Sequence, residues 1–325
     1  MALERLALAP HPGSSPVPLP RLLDDSGTTA FVVVSDGRIV WERFGHGGRA
    51  DQPARCFSVT KSVASALVGL AVGSGAIASV ETPIGAWLPE PLDPRVRDLS
   101  LVHLLEMRSG IGFVEGVVPW CDEPRTYYAT DLRRRLLTRT LMDAPGAFFH
   151  YNDWHPLLLT LLLECATGMP VTAWLQEKLW NPLGAESRGS MMVDRSGADG
   201  VEHLESGLTA SAYDLAKFGQ LYLQDGVWMG KHILPDGWVS YTRAPAPAAR
   251  RSTYGAHFWL ATPAEYRGPA VALPADVFQA VGHEAQFITI VPSRDVVIVR
   301  LGRTRYPGVW AQDRFVAAVL AALGS

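Results

Sequence analysis

The sequence predicts an α/β (α+β) fold. One antiparallel sheet is built from both termini and flanked by helices, with a mainly helical subdomain inserted between its halves. Three observations lead there. Runs rich in β-branched residues cluster at 29–44 and again at 277–301. Helical periodicity dominates from about residue 80 to residue 205. A helical pattern adjoins each strand cluster, at 58–73 and at 309–323. Strands at both ends of a helical middle are most simply satisfied by pairing with each other. The expected division is an irregular arm over 1–24, an α/β subdomain over 25–79 and 205–325, and a helical subdomain over 80–204.

Taken in order, residues 1–24 hold five prolines and read as irregular. TAFVVV (29–34) and RIVWERF (38–44) are strands, and the Ser-Asp-Gly between them is hairpin chemistry. SVTKSVASALVGLAVG (58–73) repeats small and apolar residues at helical spacing. Further helices are expected over 101–107, 131–142, 156–167, 171–179 and 212–224, punctuated by Pro-Gly, Thr-Gly and Asn-Pro. Residues 254–261, 277–281, 286–291 and 295–301 alternate or run β-branched, with Pro-Ser-Arg-Asp as a turn, and 309–323 closes the chain as a helix.

Composition excludes several classes. With 48% hydrophobic and 19% charged residues, the 325-residue chain can bury a core and is not a disordered or fibrous one. A net charge of −3 gives no bulk attraction to nucleic acid or to an anionic membrane. The apolar run 157–163 is far shorter than the ~18 residues of a membrane span. The first twenty residues have neither a basic start nor an apolar stretch, so no signal peptide is read and a cytoplasmic location is expected. Cys56, Cys121 and Cys165 have no paired spacing and read as reduced thiols. The histidines form no zinc pattern, and Gly45, Gly47 and Gly48 lack the residues that follow in a phosphate loop, so no metal or cofactor is expected. Composition leaves the oligomeric state open.

Three short segments carry chemistry. Ser58 and Lys61 stand three apart at a helix start, so hydroxyl and amine share a face. The helix N-terminus favours an alkoxide, and a lysine of lowered pKa can help take the serine proton. With four lysines and twenty serines, about a quarter of such a motif arises by chance, and an N-capping serine beside a solvated lysine fits equally. The second is His150-Tyr151-Asn152-Asp153-Trp154, in which a tyrosine near cations can act as a general base; a buried tyrosine and a capping Asp153 is the alternative. The third is Gly282-His283-Glu284-Ala285-Gln286, running into a strand whose edge can supply an N–H to an oxyanion hole, or is simply a strand entry.

Together and in order, these segments resemble the serine β-lactamase and penicillin-binding-protein superfamily, in particular its class C-like branch of 6-aminohexanoate-dimer hydrolases and related esterases. The resemblance runs through FSVTKSVASALVGLAVGSGAI, LVHLLEMRSGIGFVE, PGAFFHYNDWHPLLLTLLLECATG, SGLTASAYDLAKFGQLYLQDGVW and VGHEAQFITIVPSRDVVIVRL, nearly the whole chain. It implies a β-lactamase/transpeptidase-like fold and a covalent acyl-enzyme. Ser58 would be the nucleophile, Lys61 its assistant and Tyr151 the general base. The backbone N–H groups of Ser58 and Gln286 would form the oxyanion hole, with Ala285 beside them, and His283 would stand where the family's Lys-Thr-Gly motif has lysine.

Two departures bear on substrate. Many β-lactamases read Tyr-x-Asn, where this chain has Asp153, which can accept from Lys61 but cannot donate an amide N–H. A neutral His283 is a poorer partner for a substrate carboxylate than a fixed cation. Both argue against an anionic, penicillin-like acyl group and suit a small-molecule neutral ester, or an amide whose amine end is cationic. Trp120, Tyr127 and Tyr128 follow Glu115 in an irregular segment and either line the pocket or pack the helical subdomain. An acyltransferase or cyclase of the same fold, and a non-catalytic ligand-binding relative, are the competing readings.

Overall fold

The computed structural model describes residues 3–9, 15–88, 92–116, 118–247, 253–268, 271–305 and 310–324. Its centre is a five-stranded antiparallel sheet. The strands are β1 (Thr28–Ser35), β2 (Arg38–Phe44), β3 (Phe278–Gly282), β4 (Gln286–Val291) and β5 (Val296–Gly302). Their spatial order is β3-β4-β5-β1-β2, so the two ends of the chain meet where β5 pairs with β1. Asp36 and Gly37, both at positive φ (50° and 69°), make the tight turn between β1 and β2 that Asp-Gly favours.

Both faces of the sheet are covered. Along β1, Ala30, Val32 and Val34 enter one apolar cluster, whereas Phe31 and Val33 enter another. The second cluster is closed by helices α1 (Leu19–Asp25) and α5 (Gln312–Leu323). The first is closed by α2 (Val59–Gly73) and α4 (Ala212–Leu223), and it runs on without a break into helix α3 (Trp154–Thr167) and its neighbours. Helix α4 lies close on the sheet because Gly219 has no Cβ, which would stand 2.6 Å from a Val297 methyl. Among the described residues no single helix is long and apolar enough to cross a membrane.

Three expectations are corrected. The arm over 1–24 is not irregular throughout, because Leu19, Leu22 and Leu23 form a buried helical face and a proline is accommodated in the first turn of α1. The helix expected over 131–142 ends at Leu136, since Leu141 is drawn into a bridge with Ile111. Residues 254–261 alternate like a strand but form a turn, with His257 at φ 61° and single bridges joining Trp259 to Tyr254 and to Gln279. The terminal helix begins at Gln312, and residue 309 lies outside the described residues.

Candidate active site

Ser58 stands at the N-terminus of α2, just after Phe57, which holds a left-handed φ of 47°. A non-glycine residue in that region stores strain, and such strain collects at functional turns. The Ser58 side chain makes no capping hydrogen bond to the helix. Its Oγ instead accepts from Lys61 Nζ at 2.8 Å, one helical turn on. Lys61 is 1% exposed and donates twice more, to the Glu205 carbonyl oxygen at 2.8 Å and to Asp153 Oδ1 at 2.8 Å. All three ammonium hydrogens are thereby used. Burial pulls the Lys61 pKa down, but the charges of Asp153, Tyr151 and Glu205 outweigh it and hold the amine above its ordinary value. Lys61 is therefore a cation at neutral pH and not the lowered-pKa amine that direct proton abstraction needs.

Tyr151 packs against this cation, with Lys61 Nζ 4.8 Å from its ring centre. Its ring is stacked on Trp259 at 5.7 Å and meets Tyr254 edge-on at 6.0 Å. Burial raises the phenol's pKa, while the nearby Lys61 charge opposes the rise. The next two residues divide the work. Asn152 is fully buried, donates to the Ile111 carbonyl at 2.9 Å and accepts from the Trp154 amide at 2.8 Å, which fixes the start of α3. Asp153 is left to face Lys61. Behind α2, the ring nitrogens of His257 lie 2.9 Å from the Lys61 carbonyl oxygen and 3.2 Å from that of Leu104, tying the helix to the helical region. Cys56, two residues before Ser58, is buried, and burial pushes its thiol up to about 12, which keeps it protonated at neutral pH.

The opposite wall is the turn between β3 and β4. Gly282 permits it, because a Cβ there would stand 2.4 Å from the Cys56 carbonyl oxygen. The His283 ring is exposed and meets Phe57 edge-on at 5.5 Å. Glu284 and Ala285 follow in left-handed conformations, φ 58° and 62°. Arg300, with 0% exposure, holds them from below by donating to their carbonyl oxygens at 3.1 and 2.6 Å. Its other bonds go to Thr28 Oγ1, the Ser26 carbonyl and Thr304 Oγ1, and its charge lies 4.2 Å from the centre of the Trp310 ring. No carboxylate pairs with it among the described residues, and burial lowers its pKa to about 9. Gln286 is buried opposite Gly282 in the ladder and donates through Nε2 to the His283 and Gly302 carbonyl oxygens.

The structure thus brings Ser58, Lys61, Tyr151 and Asp153 together and sets His283 beside Phe57. Ala285 and Gln286 turn their side chains into the protein. Trp120 is 70% exposed, and no contact joins it to the cluster among the described residues. Sequence reading missed Glu205, whose buried carboxylate lies 2.6 Å from His203 Nδ1, and the aromatic backing of Tyr254 and Trp259. It also missed Arg300, although one arginine inside the run VVIVRL was a visible sign of a buried charge. Among the described residues no group of His, Cys, Asp and Glu could hold a metal ion.

The beta-lactamase family model matches residues 22–323. Among curated proteins, the 6-aminohexanoate-dimer hydrolase of Paenarthrobacter ureafaciens is 26% identical over 232 residues, 68% of this chain. That stretch spans only 58% of the relative's length. Among solved structures, a Bacillus anthracis protein provisionally described as a 6-aminohexanoate-dimer hydrolase superposes with a TM-score of 0.80 at 22% identity, covering 99% of this chain and 84% of the other. EstCE1, described as a hydrolase with promiscuous acyltransferase activity, gives 0.71 at 15% identity, with 94% and 96% covered. The architecture is accordingly a beta-lactamase fold. Matched over nearly its whole length, the chain belongs to the beta-lactamase family.

Proposed function

We propose that this protein is a serine hydrolase that cleaves a small-molecule amide or ester through a covalent acyl-enzyme on Ser58. The observation that carries the reading is the set of hydrogen bonds around Lys61, which ties Ser58, Asp153 and the Glu205 carbonyl to one buried cation beside the Tyr151 ring. A lysine with every hydrogen engaged has no lone pair for the serine proton. Tyr151 takes it as a phenolate, a minor form that the Lys61 charge favours and burial opposes. The Ser58 oxygen attacks the carbonyl carbon, and the tyrosine returns the proton to the leaving alcohol or amine. Water then repeats the sequence on the acyl-enzyme. The Ser58 amide and an amide of the 283–286 turn, that of Gln286 in the sequence reading, would receive the oxyanion.

The electrostatics favour an acyl group without negative charge. Asp153 faces the cluster, and Glu123 is close enough that Asp153 and Glu115 raise its pKa after burial has done so. No lysine occupies the His283 position. A neutral ester, or an amide with a cationic amine on its acyl side, fits these surroundings. The test is turnover of p-nitrophenyl acetate and butyrate, 6-aminohexanoate linear dimer and a penicillin. Hydrolysis of an ester or of the dimer, with penicillin untouched, is expected. Penicillin cleavage faster than either would overturn the substrate assignment.

A further inference from the structure

A cavity of about 450 Å³ opens beside the nucleophile, and neither Ser58, Lys61 nor Tyr151 lines it. Its walls include the small residues Gly47, Gly48, Ala54 and Gly302 beside the bulkier Phe57 and Leu301. Four arginines face it: Arg49, Arg55, Arg303 and Arg305. Arg49 is matched by Asp51 at 2.8 Å. Among the described residues, no carboxylate pairs with the other three. Elsewhere the guanidiniums of Arg43, Arg95, Arg108 and Arg133 are each matched to a carboxylate. The Arg55 guanidinium is held in place, 5.6 Å from the ring centres of both Phe57 and Tyr127. Glu284 is the one acidic residue in the lining.

Guanidiniums gathered round one cavity repel one another, and an anion among them removes that cost. Their planar donor forks match carboxylate or phosphate oxygens two at a time. The volume is that of a small-molecule site. Phe57 precedes Ser58 and Glu284 follows His283, so the cavity adjoins the reaction site without containing it.

We propose that this cavity binds the oxyanion group, carboxylate or phosphate, of a small molecule through Arg55, Arg303 and Arg305. The anion is either the far end of the substrate's leaving group or a separate small molecule. A carboxylate there is compatible with an uncharged or cationic acyl group, since the two ends of the substrate would sit in oppositely charged surroundings.

The experiment is isothermal titration calorimetry of the full chain with inorganic phosphate and with adipate. It is repeated on R303A/R305A, on R55A, and on protein whose Ser58 has been capped with a fluorophosphonate. These arginines are exposed, so circular dichroism and the melting temperature should not change in the variants. Saturable binding of at least one anion, weakened about tenfold or more in both variants, is expected. Adipate inhibition of ester turnover then separates the sources. A raised KM at constant kcat, with adipate binding lost on capping, identifies the substrate's own carboxylate. A changed kcat at constant KM, with binding kept after capping, identifies a separate anion. No saturable heat with either anion, or equal affinity in native protein and variants, would overturn the site. Because calorimetry needs no turnover, failure of the hydrolase reading would leave this result legible.

Discussion

The α2 wall around Ser58 and the β3–β4 turn frame the same site, yet they are held by different means. On the α2 side the backbone is regular after Phe57, and the side chains carry the charge. Lys61 is neutralised by Asp153 across 2.8 Å and pinned at three points. On the turn side the charge is hidden and the backbone carries the strain. Arg300 has no carboxylate partner among the described residues, and its bonds hold two consecutive left-handed non-glycine residues. A regular helix is a good mount for groups that exchange protons, because one turn sets their spacing. A strained, clamped turn is a good mount for backbone N–H groups, because it aims peptides where regular structure cannot. Changes on the α2 side should therefore disturb the proton chemistry or the buried charge, whereas relieving strain in the turn should change stability slightly and kcat little.

The largest effect is expected at the chemical wall. Tyr151→Phe keeps the ring against Lys61 and removes the proton carrier, so kcat/KM on an ester should fall by about 10²- to 10⁴-fold. In the native protein kcat/KM should rise with pH above neutrality, because the phenol's raised pKa leaves the base scarce at pH 7. Y151F should lose that rise. A variant that kept both rate and pH dependence would remove Tyr151 from the mechanism.

Asp153→Ala is next. It strands a buried ammonium, and breaking such a pair costs about 3–5 kcal/mol. A urea midpoint within error of native would show that Asp153 is not the counter-ion Lys61 depends on. Acid sharpens the comparison further. His257 supports the α2 wall from behind, against the Lys61 and Leu104 carbonyl oxygens, and burial lowers its pKa to about 4. The unfolded chain takes up that proton near pH 6.5, so stability is present above 6.5 and is lost as pH falls from about 6.5 toward 4, by about 3 kcal/mol. His155 is lowered by burial too and adds in the same direction. Urea melts at pH 7 and 4.5 would check the sign. The smallest effect is at the turn. Ala285→Gly accepts φ 62° without strain and should stabilise by about 1 kcal/mol or less, with kcat nearly unchanged. A large fall in kcat would mean that the turn's rigidity, and not only its shape, serves the chemistry.

What was legible in the sequence was local. Ser58 and Lys61 stand one helical turn apart, so their shared face follows from spacing alone. The β1–β2 hairpin follows from Asp36-Gly37. What was hidden depends on long-range approach. Glu205 meets Lys61 across 144 positions and His257 meets it across 196, and no periodicity carries such contacts. Residues 254–261 misled because their alternation serves a turn that delivers Trp259 to Tyr151 rather than a strand. Helix α1 was masked by the prolines around it, although its three buried leucines keep helical spacing. In sequence Asp153 reads both as a helix cap and as a partner of Lys61; it faces the lysine, and Asn152 accepts from the first amide of α3 instead.

The most direct measurement is intact-mass spectrometry of the native protein and of Ser58→Ala after reaction with a fluorophosphonate and, separately, with a slowly hydrolysed ester. A single adduct on the native protein, absent from a folded S58A protein that also fails to turn over the ester, is the predicted result. An equal adduct on S58A, or full ester turnover by it, would contradict the acyl-enzyme on Ser58.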